Sequence, residues 1–344
     1  MRRRDGSGRK TNHRVEMVRL ILGGDVMLGR IVARQIQHLG AQYPLGEIAA
    51  IMKQADLTLI NLECAITSSQ ELWSGAPKAF YFGAPPEAVQ ALVGAGVDLV
   101  SLANNHTLDY GEGGLRETLS LLRTKGVVFT GAGANLDEAQ SPGTIERKGI
   151  RFGMVAYCDH QEDFSAGEAR PGISYLDLRD HERALDQIRE GLNRLKKAGV
   201  NWPILSLHWG PNMVHSPSSQ FVRFAHAAID LGYGILFGHS AHVFHGIEIY
   251  KNRPIFYSVG DLVDDYYVDS EFKNDHQLLF DLELTRSEVR RIDLHPVFIE
   301  DCRTLPATGD QFEFIVDRIT GLCAEMGTKV QREGKRAWIS CSAS

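Results

Sequence analysis

Cysteine is scarce in this sequence, and its placement is as informative as its number. The five cysteines are odd in number, include no Cys-x-x-Cys pair and are widely scattered, at Cys64, Cys158, Cys302, Cys323 and Cys341. This distribution argues against both a disulfide framework and a thiolate zinc site. It is typical of a protein whose thiols stay reduced, so we expect a cytoplasmic location.

Long apolar runs and an excess of basic charge are also missing. No segment approaches the roughly 18 apolar residues that a membrane-spanning helix needs, so we expect no membrane span. The formal net charge of −6 gives no basic footprint, and we expect no nucleic-acid partner. The one basic cluster, MRRRDGSGRKTNHR, has no interleaved aromatic residue. This composition predicts that residues 1–17 form a disordered, solvated leader.

The sequence does contain a regular alternation of short apolar runs with amphipathic helical patterns. The apolar runs lie at 18–26, 56–63, 97–105, 152–158, 202–209 and 233–239. Such alternation is typical of an α/β protein with largely parallel, buried strands.

The last third of the chain has a different pattern. A hairpin around residues 251–253, further strands and a closing helix are predicted after His239. No Pro- or Ser-rich linker separates the two parts, so we expect a single domain over 18–330 and a C-terminal tail over 331–344.

Polar side chains recur where the predicted strands end. These positions carry carboxylates, amides and imidazoles: Asp25, Glu63, Asn104, Asn105, His106, His208, His239 and His242. In open α/β sheets ligands bind beyond the carboxyl ends of the strands, so we expect these side chains to share one edge. Mixed Asp, Glu, Asn and His ligation suits divalent metals such as zinc, manganese or iron.

Several motifs, in this order along the chain, resemble a known family. GGDVMLGR, NLECAIT, SLANNHTLDYGEGG, LHWG, GHSAHVFHGIE and PIFYSVGDL are similar to motifs of the CapA family of poly-gamma-glutamate biosynthesis proteins, within the calcineurin-like metallophosphoesterase superfamily. The resemblance covers roughly residues 18–300. It implies a four-layer α/β/β/α sandwich in which two mixed sheets are flanked by helices.

The resemblance also implies roles for individual residues. Asp25 and Glu63 match catalytic carboxylates that ligate metal, and His106 matches a general acid or transition-state stabiliser. The implied metal ligands are Asp25, Glu63, Asn105, His208, His239 and His242. Asn104, as a supporting residue, and Asp261, which lies near the predicted strand edge, are additional candidates for the site. One or two divalent ions (Mn, Zn or Fe) are implied, as is metal-assisted hydrolysis or transfer in poly-gamma-glutamate, capsule-type or peptide biosynthesis.

The chain departs from the superfamily pattern at several positions. Met27 replaces a histidine of the first strand, Ser240 replaces a histidine of the closing motif, and Asp261 replaces an asparagine. Because the site has fewer imidazoles than the superfamily pattern, it is an open alternative that the site binds no metal. One alternative is therefore a metal-independent acid/base enzyme, such as a peptide or amino-acid epimerase, on the same fold. Another is a non-catalytic scaffold of a biosynthetic complex.

Two long segments are predicted to determine specificity. Residues 67–83 and 158–172 contain aromatics and glycines and are expected to line or cover the pocket. The substrate expected there is a small molecule, a peptide or a polyglutamate-type polymer.

Overall fold

The computed structural model describes residues 16–341. The leader expected over residues 1–17 lies outside this range except for Glu16 and Met17. The described residues form strands and helices in alternation, as the sequence predicts for the first two-thirds of the chain.

The strands, in chain order, are β1 (Val18–Val26), β2 (Leu57–Leu62), β3 (Ala65–Ile66), β4 (Gly83–Ala84), β5 (Leu99–Ser101), β6 (Val128–Thr130), β7 (Ala132–Gly133), β8 (Gly143–Arg147), β9 (Ile150–Cys158), β10 (Gly172–Ile173), β11 (Trp202–His208), β12 (Ile235–His239), β13 (Ile247–Tyr250), β14 (Arg253–Phe256), β15 (Asp261–Val263), β16 (His276–Leu284), β17 (Val289–Glu300), β18 (Arg303–Pro306), β19 (Gln331–Glu333) and β20 (Arg336–Ser340). The α-helices are α1 (Arg30–Leu39), α2 (Ala49–Met52), α3 (Val89–Ala95), α4 (Gly111–Lys125), α5 (Leu136–Ala139), α6 (His181–Lys197), α7 (Ser219–Leu231) and α8 (Gly309–Glu325). Short 3₁₀ turns occur at Pro86–Ala88 and Glu162–Phe164.

The larger sheet has ten strands in the order β19-β20-β17-β16-β1-β2-β5-β6, with β15 paired to β1 and β18 paired to β17. Strands β1, β2, β5 and β6 are parallel, whereas β16, β17 and β20 are antiparallel to their neighbours. The sheet is therefore mixed, with its parallel half built from the first part of the chain.

The second sheet has six strands in the order β13-β14-β12-β11-β9-β8. Its four central strands are parallel, and hairpins add one antiparallel strand at each edge. The predicted hairpin around residues 251–253 is the β13–β14 pair.

Side chains alternate between the two faces of each strand, and the hydrophobic core is therefore divided into three clusters. Leu20 and Leu22 of β1 and Phe237 of β12 pack between the two sheets. Ile21, from the other face of β1, packs in the cluster that contains Val32 of α1. Other residues of β12, α6 and α7 form the third cluster, on the outer face of the second sheet. The fold is thus the four-layer α/β/β/α sandwich implied by the resemblance.

The C-terminal segment differs from its prediction as a tail from residue 331. Strand β20 pairs with β17, and β19 pairs with β20, so the sheet continues to Ser340. Ala337 and Ile339 are buried while Arg336 and Ser340 are exposed, which is the alternation of an edge region packed on one face. The domain therefore extends beyond the expected boundary at 330.

Within residues 16–341, no helix combines the length and the apolar character that crossing a bilayer requires. All five cysteines are buried and none forms a disulfide.

Candidate metal centre

The carboxyl ends of strands from both sheets meet on one side of the domain. Asp25 of β1 pairs with Asn61 of β2 in the larger sheet. His208 of β11 pairs with His239 of β12 in the second sheet. All four residues are buried, so the two sheets deliver carboxylate, amide and imidazole groups to one interior site.

Gly24 permits the close approach that places a further carboxylate there. The Asp25 N–H donates to the carbonyl oxygen of Gly260 at 2.9 Å, and a Cβ on Gly24 would lie 2.2 Å from that oxygen. This contact brings β15 alongside β1 and sets Asp261 opposite Asp25. The GGD sequence at 23–25 thus serves packing as well as ligand placement.

Asp25 belongs to two groups of side chains that could hold a metal ion. The first comprises Asp25, His208 and His239, and the second comprises Asp25, Glu63, His242 and Asp261; within each group the donor atoms lie within 4.8 Å of one another. Asp25 Oδ1 is 3.6 Å from His239 Nδ1, and Asp25 Oδ2 is 3.9 Å from His242 Nδ1. The structure therefore gathers six of the sequence-predicted site residues.

His208 and His239, the two innermost histidines of the site, are neutral imidazoles. Their Nδ1 atoms lie 2.9 Å apart, and His239 Nε2 lies 2.9 Å from the Ser206 hydroxyl. Burial lowers the pKa of His239 to about 3, and burial followed by the neighbouring His239 lowers the pKa of His208. A neutral imidazole retains a lone pair, which is the form that binds metals.

The carboxylates show the opposite shift. Burial raises the pKa of Asp25 to about 6. Burial, followed by repulsion from neighbouring carboxylates, raises the pKa of Glu63, Asp261 and Asp264. One oxygen of Asp261 has no hydrogen-bond partner among the described residues. Because a bound cation favours the charged form of such groups, the donor set fits a divalent ion.

Asn61 and Asn104 form a support layer beneath these ligands. Asn61 Nδ2 donates to Asp25 Oδ1 at 2.8 Å, and Asn104 Nδ2 donates to Asn61 Oδ1 at 3.1 Å and to the Leu62 carbonyl at 2.8 Å. Asn104 Oδ1 accepts the His106 N–H at 3.1 Å. Asn104 therefore orients its neighbours from a fully buried position. Asn61 was not among the predicted site residues, although its place at the end of β2 was visible in the sequence.

Asn105 lies at the rim of the site. Strand β5 ends at Ser101, four residues earlier than the predicted run to 105, and the segment Asn104–Tyr110 forms turns. Asn105 Oδ1 is buried without a hydrogen-bond partner in the described part of the chain. Its role as a metal ligand stays a prediction.

His106 is oriented by a carboxylate on the same turn. Its Nδ1 lies 2.6 Å from Asp109 Oδ2, and its ring stacks on Phe82 at a centroid distance of 3.7 Å. Asp109 is fully buried and also accepts the Phe82 N–H at 2.7 Å. Burial lowers the pKa of His106 to about 4, against the opposing effect of Asp109. The ring is neutral near pH 7.

The departures from the superfamily pattern have structural counterparts. Met27 is fully buried in the cluster with the outer helices, and its sulfur accepts the Gly29 N–H at 3.1 Å. Ser240 has a φ of +104° and donates its N–H to Asp25 Oδ2 at 3.1 Å. Ser240 thus supports Asp25 through its backbone, whereas Met27 contributes to the core.

A cavity of about 420 Å³ opens beside the cluster and includes His106 and His242 in its lining. Four aromatic side chains, Phe80, Phe82, Tyr266 and Tyr267, form part of its wall beside polar and charged residues. The loop at 67–83 therefore lines the cavity. The loop at 158–172 contacts the loop at 67–83. Trp73 Nε1 of the 67–83 loop donates to Asp163 at 3.0 Å, and the Trp73 ring packs edge-on against Phe164 at a centroid distance of 4.9 Å.

Lys78 connects the loop at 67–83, to which it belongs, to the turn that carries His106. Its Nζ donates to the Asn105 carbonyl and to Asp109 Oδ1, and it lies 4.7 Å from the ring centroid of Phe164. The Lys78 side chain is 8% exposed and that of Asp109 is 0% exposed. The pair is therefore a buried ion pair that no local sequence pattern indicates.

The fold is a four-layer sandwich with buried carboxylates and imidazoles at the strand ends of both sheets, and sequence comparison identifies the family. The profile described as "Bacterial capsule synthesis protein PGA_cap" matches residues 19–266. The chain belongs to this family, which confirms the CapA resemblance.

Curated relatives carry related descriptions. A probable polyglutamine synthesis accessory protein of Mycobacterium tuberculosis is 32% identical over 289 residues, covering 73% of this chain and 75% of the relative. The PGA biosynthesis protein CapA of Bacillus subtilis is 26% identical over 292 residues, covering 84% and 74%.

One solved structure, NAD nucleotidase of Haemophilus influenzae, is 12% identical with a TM-score of 0.45, covering 88% of this chain and 55% of that one. Similarity at this level carries no functional argument, and the four-layer fold rests on the sheet order described above.

Proposed function

We propose that this chain is a metal-dependent enzyme that catalyses hydrolysis or transfer on a glutamate polymer or related peptide during capsule-type synthesis. The family supplies the biosynthetic context. The observation that carries the enzymatic part is the set of buried carboxylates around Asp25: among the described residues, the ion-pair contacts of Asp25, Glu63 and Asp261 are all with histidine nitrogens and none is with a Lys or Arg. Buried charges of this kind are stable only when paired or when they coordinate a metal.

The ligands fall into two sets of different chemistry that share Asp25. His208 and His239 would hold an ion together with Asp25, and Glu63, His242 and Asp261 would hold a second. A divalent ion at such a site supplies Lewis-acid polarisation of a substrate oxygen and activation of water near neutral pH.

The residues of the chain itself supply orientation and proton transfer. Asp109 fixes the His106 ring through Nδ1, so that the proton resides on Nδ1 and the Nε2 lone pair is the free position of a ring that lines the cavity. In this state His106 accepts a proton from the substrate or nucleophile and later returns it to the leaving group. Phe82 stacks on the ring and restricts its rotation.

A second candidate is acid/base chemistry without metal, such as epimerisation. It is favoured by the pKa of the Asp25 carboxyl, which burial raises to about 6, a value suited to a base near neutral pH. On this hypothesis His106 and one of the carboxylates Asp25 or Glu63 act on opposite sides of a substrate carbon.

Metal analysis of purified protein distinguishes the two. We expect one or two equivalents of Mn, Zn or Fe by mass spectrometry in the wild type. His208→Gln should lose metal, whereas His38→Gln, on the exposed side of α1, should retain it. A metal-free protein whose activity survives chelator would overturn the first candidate.

Two further outcomes concern the remaining alternatives. A stoichiometric metal whose removal abolishes activity would overturn the epimerase hypothesis. If His106→Gln leaves every assayed function unchanged, the protein is a scaffold. The cytoplasmic location inferred from the cysteines stays a prediction and is checked by fractionating cells.

A further inference from the structure

Arg30 is the cationic side chain in the wall of the cavity beside the candidate metal centre. It is the first residue of α1 and has a φ of +55°. A non-glycine residue in this region costs free energy and persists only where the surroundings hold it. The local backbone therefore directs a charged side chain toward the cavity at an energetic cost.

The guanidinium is held in position from two sides. Its Nε lies 3.4 Å from Asp265 Oδ1, and Asp265 Oδ2 accepts the Ile31 N–H at 2.7 Å. Its central carbon lies 5.1 Å from the ring centroid of Phe80 and 5.8 Å from that of Phe82. Asp265 is buried within the contact, whereas the Arg30 side chain is 33% exposed.

The outer edge of the guanidinium is available to a ligand. The guanidinium contacts Asp265 through Nε, and part of the side chain stays exposed in the cavity wall. A planar fork of N–H groups matches the two oxygens of a carboxylate, and its preorganisation on aromatic rings lowers the entropy lost on binding. The acidic residue of the same wall, Asp269, accepts hydrogen bonds from the N–H groups of Glu271 and Phe272.

We propose that Arg30 binds a carboxylate of the substrate, and that the aromatic wall formed by Phe80 and Phe82 packs against the aliphatic part that carries it. This assignment rests on the proposed function for its substrate class, a γ-linked glutamate chain with one free carboxylate per residue. Arg30 then acts as a specificity-determining residue, placing the neighbouring amide beside His106.

Calorimetric binding to the protein as purified tests the assignment through affinity rather than turnover. The probes are γ-linked triglutamate, the same peptide with its carboxylates blocked as methyl esters, and inorganic phosphate. The variants are Arg30→Gln, Arg30→Lys and, as a matched control, Arg34→Gln, which changes an exposed arginine of the same helix.

We expect the wild type to bind triglutamate at least tenfold more tightly than the ester. Arg30→Gln should weaken triglutamate binding about ten- to a hundredfold and abolish the preference over the ester, because it removes charge-assisted hydrogen bonds. Arg30→Lys should retain part of the preference, and Arg34→Gln should match the wild type.

The outcomes separate the two proposals. If the wild type prefers triglutamate and Arg30→Gln keeps that preference, the Arg30 assignment is wrong while the proposed substrate class stands. If the wild type does not distinguish triglutamate from the ester, both the assignment and the substrate class are wrong. Binding of phosphate with no binding of triglutamate identifies a phosphate site and overturns the carboxylate assignment.

Discussion

The buried Lys78–Asp109 pair gives the most direct test of how the site is held together. Lys78→Met keeps most of the aliphatic stem and removes the ammonium group. Asp109 then remains in a fully buried position with the His106 ring and the Phe82 N–H as its partners. Removing one member of a buried ion pair typically costs about 3–5 kcal/mol, because the other charge is left uncompensated.

That free energy converts to a measurable change in melting temperature. With about 2.1 cal/mol/K of unfolding entropy per residue, a chain of 344 residues loses about 1.4 °C per kcal/mol. The expected decrease for Lys78→Met is therefore about 4–7 °C. Thermal and urea denaturation should be measured in chelator, so that bound metal does not add to the stability of the folded state.

Two variants control this experiment. Lys329→Met removes an exposed lysine and should stay within about 0.5 kcal/mol of the wild type. The double variant Lys78→Met/Asp109→Asn removes both charges and should recover part of the loss. A Lys78→Met protein that melts within 1 °C of the wild type would refute the reasoning, as would a double variant no more stable than the single one.

Three further predictions concern the ligands and the sheet. Metal affinity should strengthen as the pH rises through about 6, since the raised pKa of Asp25 keeps a competing proton on that carboxyl at lower pH, and the raised pKa values of Glu63 and Asp261 should extend the rise beyond that point; titration calorimetry with Mn²⁺ checks this, and an affinity independent of pH between 5 and 7 would contradict it. Gly24→Ala should destabilise the fold by more than about 2 kcal/mol in urea denaturation, because its Cβ would meet the Gly260 carbonyl at 2.2 Å; unchanged stability would show that β15 can move away. A chain ending at residue 330 should lose about 3 kcal/mol or more, since it exposes the strand surface that Ala337 and Ile339 cover; equal melting of the two chains would mean that β19 and β20 add nothing to stability.

The sequence predicts the strand ends well because each is a local pattern. An apolar, β-branched run followed by a polar residue identifies Asp25, His208 and His239 before any contact is known, and the parallel arrangement explains why they meet. The same reasoning predicts the alternation of strands and helices and the closing helix, α8.

Contacts between distant segments are what the sequence does not indicate. Lys78 reaches Asp109 from a long loop with no periodic pattern, so neither residue is recognisable as a partner of the other. Asn104 and Asn105 are adjacent and chemically identical, and only the turn after Ser101 determines that one supports the ligands while the other faces the rim. The β20 segment, RAWIS, is too short for its alternation to outweigh its charged surroundings.

The division of the ligands between the two sheets has a consequence for how the protein matures. Asp25 and Glu63 are synthesised early, and His208, His239 and Asp261 much later, so a growing chain that ends before His239 contains neither ligand set complete. Ion uptake would therefore report that the sheets have docked in register, and an ion bridging them would fasten one sheet to the other. Depletion of metal in a growing cell would then weaken the contact between the two sheets as well as the reaction.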